Sequence, residues 1–357
     1  MTESSLQLLQ RLIATPSVSR EETAAADIVE CHLRQAGIDV RRIHNNVWAT
    51  NRHFSPGRPT LLLNSHIDTV RTAASWTRDP HSPDIADGRL YGLGSNDAGA
   101  SVVSLIAIFC EYYDSHLPFN LLLAITAEEE VMGEKGMRAF LPHLKEQGIG
   151  IDMALVGEPT GMRPAIGERG LLVLDAVTRG VSGHAARDEG VNALYKAIAD
   201  IDRLRNFKFP RQSAGLGPVK ISVTQIECGT QHNVIPDICR WVVDVRTTDA
   251  YNNEQTARML DEAVESQLTP RSTRVWASLI DAAHSLRMAA EKAAGESFVS
   301  PTTSDMALMH DIPSLKIGPG LSARSHTADE YIRIDELEEA PSVYRNILNN
   351  LSKILHA

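Results

Sequence analysis

The stretch Asn120-Leu-Leu-Leu-Ala-Ile-Thr126-Ala-Glu128-Glu129-Glu130 runs an apolar segment straight into three adjacent carboxylates. Like charges at the end of a buried strand repel each other and resist desolvation, so something cationic is needed to hold at least one of them. The plain alternative is a helix start, where the helix dipole favours acids in the first turn. Four other segments bear on that choice. His66-Ile-Asp68 follows the apolar run Leu61-Leu-Leu-Asn64. Side chains two apart in an extended chain face the same way, so Asp68 can take a hydrogen bond from one nitrogen of His66 and leave the other for a metal. Asp97 lies in the glycine-rich turn Tyr91-Gly-Leu-Gly94-Ser-Asn-Asp97-Ala-Gly99. A dinucleotide-binding loop competes with a metal-binding reading there, but Asp97 stands in place of the third glycine and would repel a pyrophosphate. Val156-Gly-Glu158-Pro159-Thr160 ends a third apolar run with another acid, which the proline keeps extended. Ser325-His326-Thr-Ala-Asp329-Glu330 follows a Gly318-Pro319-Gly320 loop. Each segment alone has an ordinary structural explanation. Together His66, Asp97, Glu130, Glu158 and His326 supply two imidazoles and three carboxylates. That set suits a pair of borderline divalent ions such as zinc or cobalt, with one carboxylate shared.

Such residues need a rigid frame, and the surrounding pattern describes one. Up to about residue 168, helical and strand patterns alternate as in an α/β sheet covered on both faces. Strands are predicted at Thr60 to Asn64, Asn120 to Thr126 and Met153 to Val156, each leading into acid-bearing residues, where open α/β sheets place their ligands. From Gly170 the order becomes β-α-β-β-α-β, the split ferredoxin-like unit, with a helix from Asn253 to Gln267 and a last strand from Thr273 to Ala277. The first style then returns with a helix from Asp281 to Ala294. These patterns divide the chain into a discontinuous domain, 1–168 with 278–357, and an inserted domain, 169–277.

A chain of 357 residues is long for a single core and, at 43% hydrophobic, can fill two. The formal net charge of −10, with no basic stripe, argues against nucleic acid or an anionic membrane as partner and suits a small cationic or zwitterionic substrate. An acid at the N-terminus where a signal peptide carries basic residues, and no apolar run of spanning length, make a cytoplasmic protein the expectation. Cys31, Cys110, Cys228 and Cys239 form no Cys-x-x-Cys pair, which disfavours a thiolate zinc site or a disulfide framework.

His66-x-Asp68, the Gly94-Ser-Asn-Asp97 turn, the acid cluster, Gly157-Glu158-Pro-Thr and the His326 loop resemble, in order, the M20 metallopeptidases and amidohydrolases. The resemblance covers essentially the whole chain. The Gly318-Pro-Gly320 and His326-Thr-Ala-Asp329-Glu330 segments look more like the acetylornithine deacetylase branch than the succinyl-diaminopimelate desuccinylases. It implies an α/β, mixed-sheet catalytic domain of zinc-exopeptidase type with helices on both faces, plus an inserted ferredoxin-like α+β lid that serves in dimerisation. It also implies two divalent ions, zinc or cobalt. Asp97 would bridge them, with His66 and Glu158 on one and Glu130 and His326 on the other. The family's Thr-Ala-Asp-Glu-Glu reads here Thr126-Ala-Glu128-Glu129-Glu130, which makes Glu129 the general base, with Asp68 and Glu128 in support.

In the inserted domain, Gly180-Val-Ser-Gly183-His184-Ala185 matches the segment whose histidine reaches the neighbouring subunit's site, and so implies a homodimer. Asn233 and Arg246 match residues that hold the substrate carboxylate, and Gly318 lines the same site. Arg324, two residues before His326, is a candidate to meet a second carboxylate such as that of a succinyl group, the alternative being a simply solvated cation. The expected reaction is hydrolysis of an N-acyl amino acid: N-acetyl-L-ornithine to ornithine and acetate, in arginine biosynthesis, or its N-succinyl or citrulline counterpart. Desuccinylation of succinyl-diaminopimelate, an M20 dipeptidase or aminoacylase activity, and a metal-free binding homologue are the alternatives.

Overall fold

The computed structural model describes residues 4–187 and 189–356. It divides into two compact units. One takes in the chain up to Ile166, Ile280–Phe298 and everything from Ser304 on; the other comprises Gly167–Leu279 and Val299–Thr303.

The first unit is built on a mixed sheet. Its centre is parallel: Asn120–Thr126 beside Thr60–His66, then Met153–Val156, then Ser314–Lys316. The hairpin Arg41–Ile43 and Asn46–Thr50 extends it antiparallel on the Asn120 side. All seven residues of both long central strands are buried, which explains their unbroken apolar character. One face packs Leu62, Leu122, Ala154 and Val156 against Phe140 and Leu144 of the helix Met137–Glu146. The helix Ala100–Tyr112 lies against the same two central strands, and every residue from Ala100 to Ile106 is buried, as an apolar sequence on every side requires. The helix Ile334–His356 packs on it and on the helix Ser285–Ala294, burying Leu337, Ala340, Tyr344, Ile347, Leu348 and Leu351, the three-and-four spacing of one helical face.

The parallel register fixes where the chemistry lies. His66 pairs with Thr126 and Asn64 with Val156, so these strands end level and release His66, the acid cluster and Glu158 at one sheet edge.

The second unit is a four-stranded antiparallel sheet in the order Lys220–Cys228, Ile238–Thr247, Gly170–Arg179, Gln267–Pro270. Helices Ala193–Asn206 and Asn253–Asp261 complete the β-α-β-β-α-β order. Alternate residues of the two central strands, Leu172, Leu174 and Ala176 with Trp241, Val243 and Val245, form its core.

Two expectations shift here. The second helix ends at Asp261, well before Gln267, and the last strand is Gln267–Pro270 in place of Thr273 to Ala277. Two carboxylates cause this, one remote in sequence and one at the helix end itself. Asp200 accepts the backbone N–H groups of Glu265 and Ser266, and Asp261 accepts that of Leu268, so the chain turns out of the helix and starts the strand early. Among the described residues, no helix is long and apolar enough to cross a membrane.

Candidate metal centre

His66 leaves its strand 2% exposed with its ring fixed from behind. Nδ1 lies 2.9 Å from the Asp68 carbonyl oxygen and 3.4 Å from Asp68 Oδ1, leaving Nε2 to face the acids. Asp68 is fully buried and does more than hold one histidine. Its Oδ1 accepts the N–H of Glu129 at 3.0 Å, and its Oδ2 accepts the N–H of Glu130 at 3.1 Å and the Ser19 hydroxyl at 2.7 Å. One carboxylate thus fixes the histidine relative to the acid cluster.

Asp97 stands between the two imidazoles, its Oδ1 3.3 Å from His66 Nε2 and its Oδ2 3.6 Å from His326 Nε2. Glu158 Oε1 lies 3.7 Å from His66 Nε2, and Glu130 Oε1 lies 2.9 Å from His326 Nε2. His66, Asp97 and Glu130 each bring one donor atom to within 4.8 Å of the others. The Glu129 carboxylate reaches 4.0 Å from His66 Nε2. Glu128 turns away at φ 56° and accepts the backbone N–H of Lys135 at 3.2 Å, bracing the following loop. Three adjacent acids therefore occupy three different positions. His326 also adopts a left-handed backbone, at φ 58°. Strained non-glycine residues of this kind concentrate at sites of function.

The strand ends are braced by residues with no recognisable motif. Ser65 donates to the Gly157 carbonyl at 2.8 Å, holding the approach to Glu158. Asn64 and Asp305 converge on the Thr126 hydroxyl, at 3.0 and 2.9 Å. Glu330 accepts the N–H groups of Asn96 and Asp97. Gly318 serves packing: a β-carbon there would overlap Ser101 Oγ and the Glu158 carbonyl, so glycine lets the loop close against Glu158.

Electrostatically the site is short of positive charge. Burial, then the charge of Asp97, pushes Glu158 up to about 8 despite His66 and Lys316. Burial raises Glu129 well above the ordinary carboxylate range; His66 opposes this, and Glu158, Asp305 and Glu130 add to it. The hydrogen bond to Glu130, against burial, lifts His326 to about 9. Imidazole and carboxylate donors converging in an acid excess fit divalent metal cations. His66 and Glu158 are grouped about one side of Asp97, and Glu130 and His326 about the other.

Arg324 is otherwise engaged. Its guanidinium forks onto Glu336 at 2.6 and 3.0 Å and stacks on the Tyr331 ring, so its charge is answered within the chain, contrary to the expectation that it meets a second substrate carboxylate.

In the second unit, Asn233 and Arg246 are not together. The Asn233 carbonyl accepts the N–H of Ala185, beside His184, whose strand Gly183–His184 pairs with Val234–Ile235. Arg246 sits opposite Leu171 at the other end of the sheet, forked onto Asp244 at 2.8 and 3.1 Å. Seven residues of extended strand, roughly 23 Å, separate Arg246 from Cys239, with Asn233 beyond that end. The strand Ile238–Thr247 intervenes between them.

Comparison with known proteins is consistent with this geometry. The chain is 30% identical to a succinyl-diaminopimelate desuccinylase of Cereibacter sphaeroides, across 95% of this chain and 96% of that one. It is 28% identical to the enzyme of the same name from Stenotrophomonas maltophilia, across 97% and 98%. These names belong to the branch that the sequence reading ranked second. Solved structures of similar fold include a tripeptidase from Staphylococcus aureus (TM-score 0.77, 19% identity, 99% of each chain). A dinuclear metal-binding M20 peptidase from Bacillus subtilis is another (TM-score 0.73, 16% identity, 99% and 98%). Residues 62–350 match the model of peptidase family M20/M25/M40, and the chain belongs to that family of metal-dependent hydrolases of linear amides.

Proposed function

We propose that this enzyme hydrolyses the amide of N-acyl-α-amino acids, with N-acetyl-L-ornithine and its N-succinyl and citrulline counterparts as the substrate class. The observation that carries this reading is the placement of Glu129: a buried carboxylate raised well above its ordinary pKa, 4.0 Å from His66 Nε2 and adjacent in sequence to Glu130. A carboxyl raised above its ordinary range by burial suits proton transfer in both directions. Two divalent ions, zinc or cobalt, held by His66 and Glu158, by Glu130 and His326, and by Asp97 between them, would supply the charge that activates a water and polarises the amide carbonyl. Glu129 takes the proton of the attacking water and returns it to the leaving amine nitrogen. Asp68 keeps the His66 ring and the Glu129 backbone in register.

Arg246 binds the α-carboxylate in this scheme. His184, with Asn233 beside it, donates to the carbonyl oxygen as charge develops there. No N-acyl amino acid of this class spans the roughly 23 Å and more between Arg246 and the His184 end. We therefore assign Arg246 and the His184–Asn233 pair to the sites of different copies of the chain. A homodimer through this unit agrees with Val181, Val191, Tyr195 and Ile198, all large apolar side chains left exposed near His184, with Tyr195 70% accessible.

A second reading, desuccinylation of succinyl-diaminopimelate, is favoured by the names of the relatives. The forked Arg324–Glu336 pair weighs toward a neutral acyl group. A hydrolysis panel of acetyl- and succinyl-ornithine, acetyl-citrulline, succinyl-diaminopimelate and dipeptides, run with zinc or cobalt, tests both. Preference for the ornithine or citrulline compounds supports the proposal, while faster turnover of succinyl-diaminopimelate or of dipeptides overturns it.

A further inference from the structure

We propose that Asn96 and Glu330 are positioning residues that tie the loop of Asp97 to the loop of His326 and thereby determine whether a second divalent ion binds. The proposal rests on the two-ion reading above.

Two loops more than two hundred residues apart carry these ligands, and neither is part of a central strand. His66 and Glu158, by contrast, sit at or just past the ends of paired strands, where the sheet fixes them. The His326 side has no such frame, and its place depends on cross-ties. Glu330 is 1% exposed, and its Oε1 accepts the N–H of Asn96 at 2.8 Å and that of Asp97 at 2.9 Å. Asn96 is fully buried and reaches the opposite way. Its Oδ1 accepts the N–H of Leu321 at 2.9 Å, and its Nδ2 donates to the Leu321 carbonyl at 3.1 Å and to Ser325 Oγ at 3.2 Å, next to His326. Gly320, at φ 84°, leaves the space that the Asn96 carbonyl oxygen fills, so any side chain there would push the loops apart. Buried polar groups with this many partners make a stiff connection, because each broken bond exposes a desolvated donor or acceptor. The tie holds Asp97 on the backbone side and His326 on the neighbouring-residue side. What it sets is the gap between the shared ligand and the second imidazole.

The test is a metal titration read by bound-ion stoichiometry and competition with a chromophoric chelator, using zinc on the stripped full-length protein. Wild type is expected to bind two equivalents. Asn96→Ala and Glu330→Ala should keep the first at wild-type affinity and weaken the second by about 10–100-fold, the usual cost of losing a partner that orients a ligand. Glu330→Gln, whose amide oxygen can still accept both N–H groups, should recover most of the second site. Circular dichroism of the stripped proteins checks folding. If Glu330→Ala fails to fold, Asn96→Asp carries the same expectation, since it keeps the Leu321 N–H bond and loses both amide donations. Two wild-type equivalents in the alanine variants would overturn the tie alone. So would equal weakening of both equivalents with no recovery in Glu330→Gln, which marks a merely structural role. A wild type that binds only one equivalent would sink the two-ion reading and this proposal together.

Discussion

Both units bury carboxylates, but only the first crowds several of them together short of donors. In the second unit, Asp200 is 1% exposed, accepts the N–H groups of Glu265 and Ser266 and the Ser266 hydroxyl, and meets Arg203 at 2.8 Å. Burial works against its charge, yet these donors hold its pKa below the ordinary value. In the first unit, Asp68 and Asp97 are likewise held below the ordinary value, against burial, by their hydrogen-bond partners, but at three other acids burial prevails: Glu158 is pushed up to about 8 and Asp305 to about 6, and Glu129 rises well above the usual range. A buried acid supplied with donors is finished as structure. Buried acids crowded against each other are stable only with a proton or a cation that the fold itself does not provide, and such groups mark functional sites.

The largest expected effect tests Glu129, one of these crowded acids. Glu129→Gln should lower kcat by about 10²–10⁴-fold while leaving bound-metal stoichiometry unchanged. Full activity in the metal-loaded variant would remove Glu129 from the mechanism and reduce it to another crowded acid. Next in size is the thermal response to metal. Zinc at a hundred times its dissociation constant should stabilise the protein by about 2.7 kcal/mol, seen as a rise in Tm that a chelator reverses. Asp97→Asn should abolish most of that rise, whereas Asp200→Asn should lower Tm yet keep the rise intact. If both substitutions affected the metal response alike, the contrast between the two kinds of acid would fail.

The sequence exposed these acids unequally, for a physical reason. His66, Glu130 and Glu158 follow apolar strands, so a polar residue at the end of a hydrophobic run signals a sheet edge even without coordinates. Ser19, Ser65, Asn96 and Asp305 carry no comparable signal. Each is a single polar residue whose importance lies in a partner remote in sequence, such as Thr126 for Asp305. Asp200 stayed hidden in the same way, and with it the early end of the helix Asn253–Asp261. Arg324 was misread because its partner, Glu336, lies twelve residues on, at the start of the Ile334–His356 helix, which the sequence reading did not pick out.

Asp200 itself gives the third test. Asp200→Ala leaves the N–H groups of Glu265 and Ser266 without their acceptor and should cost about 1–3 kcal/mol in denaturant unfolding. The pH dependence has a definite sign. A depressed folded pKa means that the carboxylate contributes fully above its unfolded value, about 3.9, and loses that contribution as pH falls through the folded one. Wild type and Asp200→Ala should therefore converge in stability under acid. Convergence at alkaline pH instead would show that the charge of Asp200 is not what stabilises the turn.

The smallest expected effect concerns an ion pair that lies between the two extremes. Arg324 and Glu336 are 13% and 24% exposed, in bidentate geometry, so neither fully buried nor solvated. Arg324→Met should cost about 1 kcal/mol in stability, toward the upper end for a pair still partly in contact with water. It should leave the ratio of acetyl- to succinyl-ornithine turnover unchanged, because the guanidinium already spends both its forks on Glu336. A selective loss of succinyl turnover would mean that a substrate carboxylate competes with Glu336 for the same fork. Arg324 would then belong with the acids of the first unit, among groups whose partner arrives with the ligand.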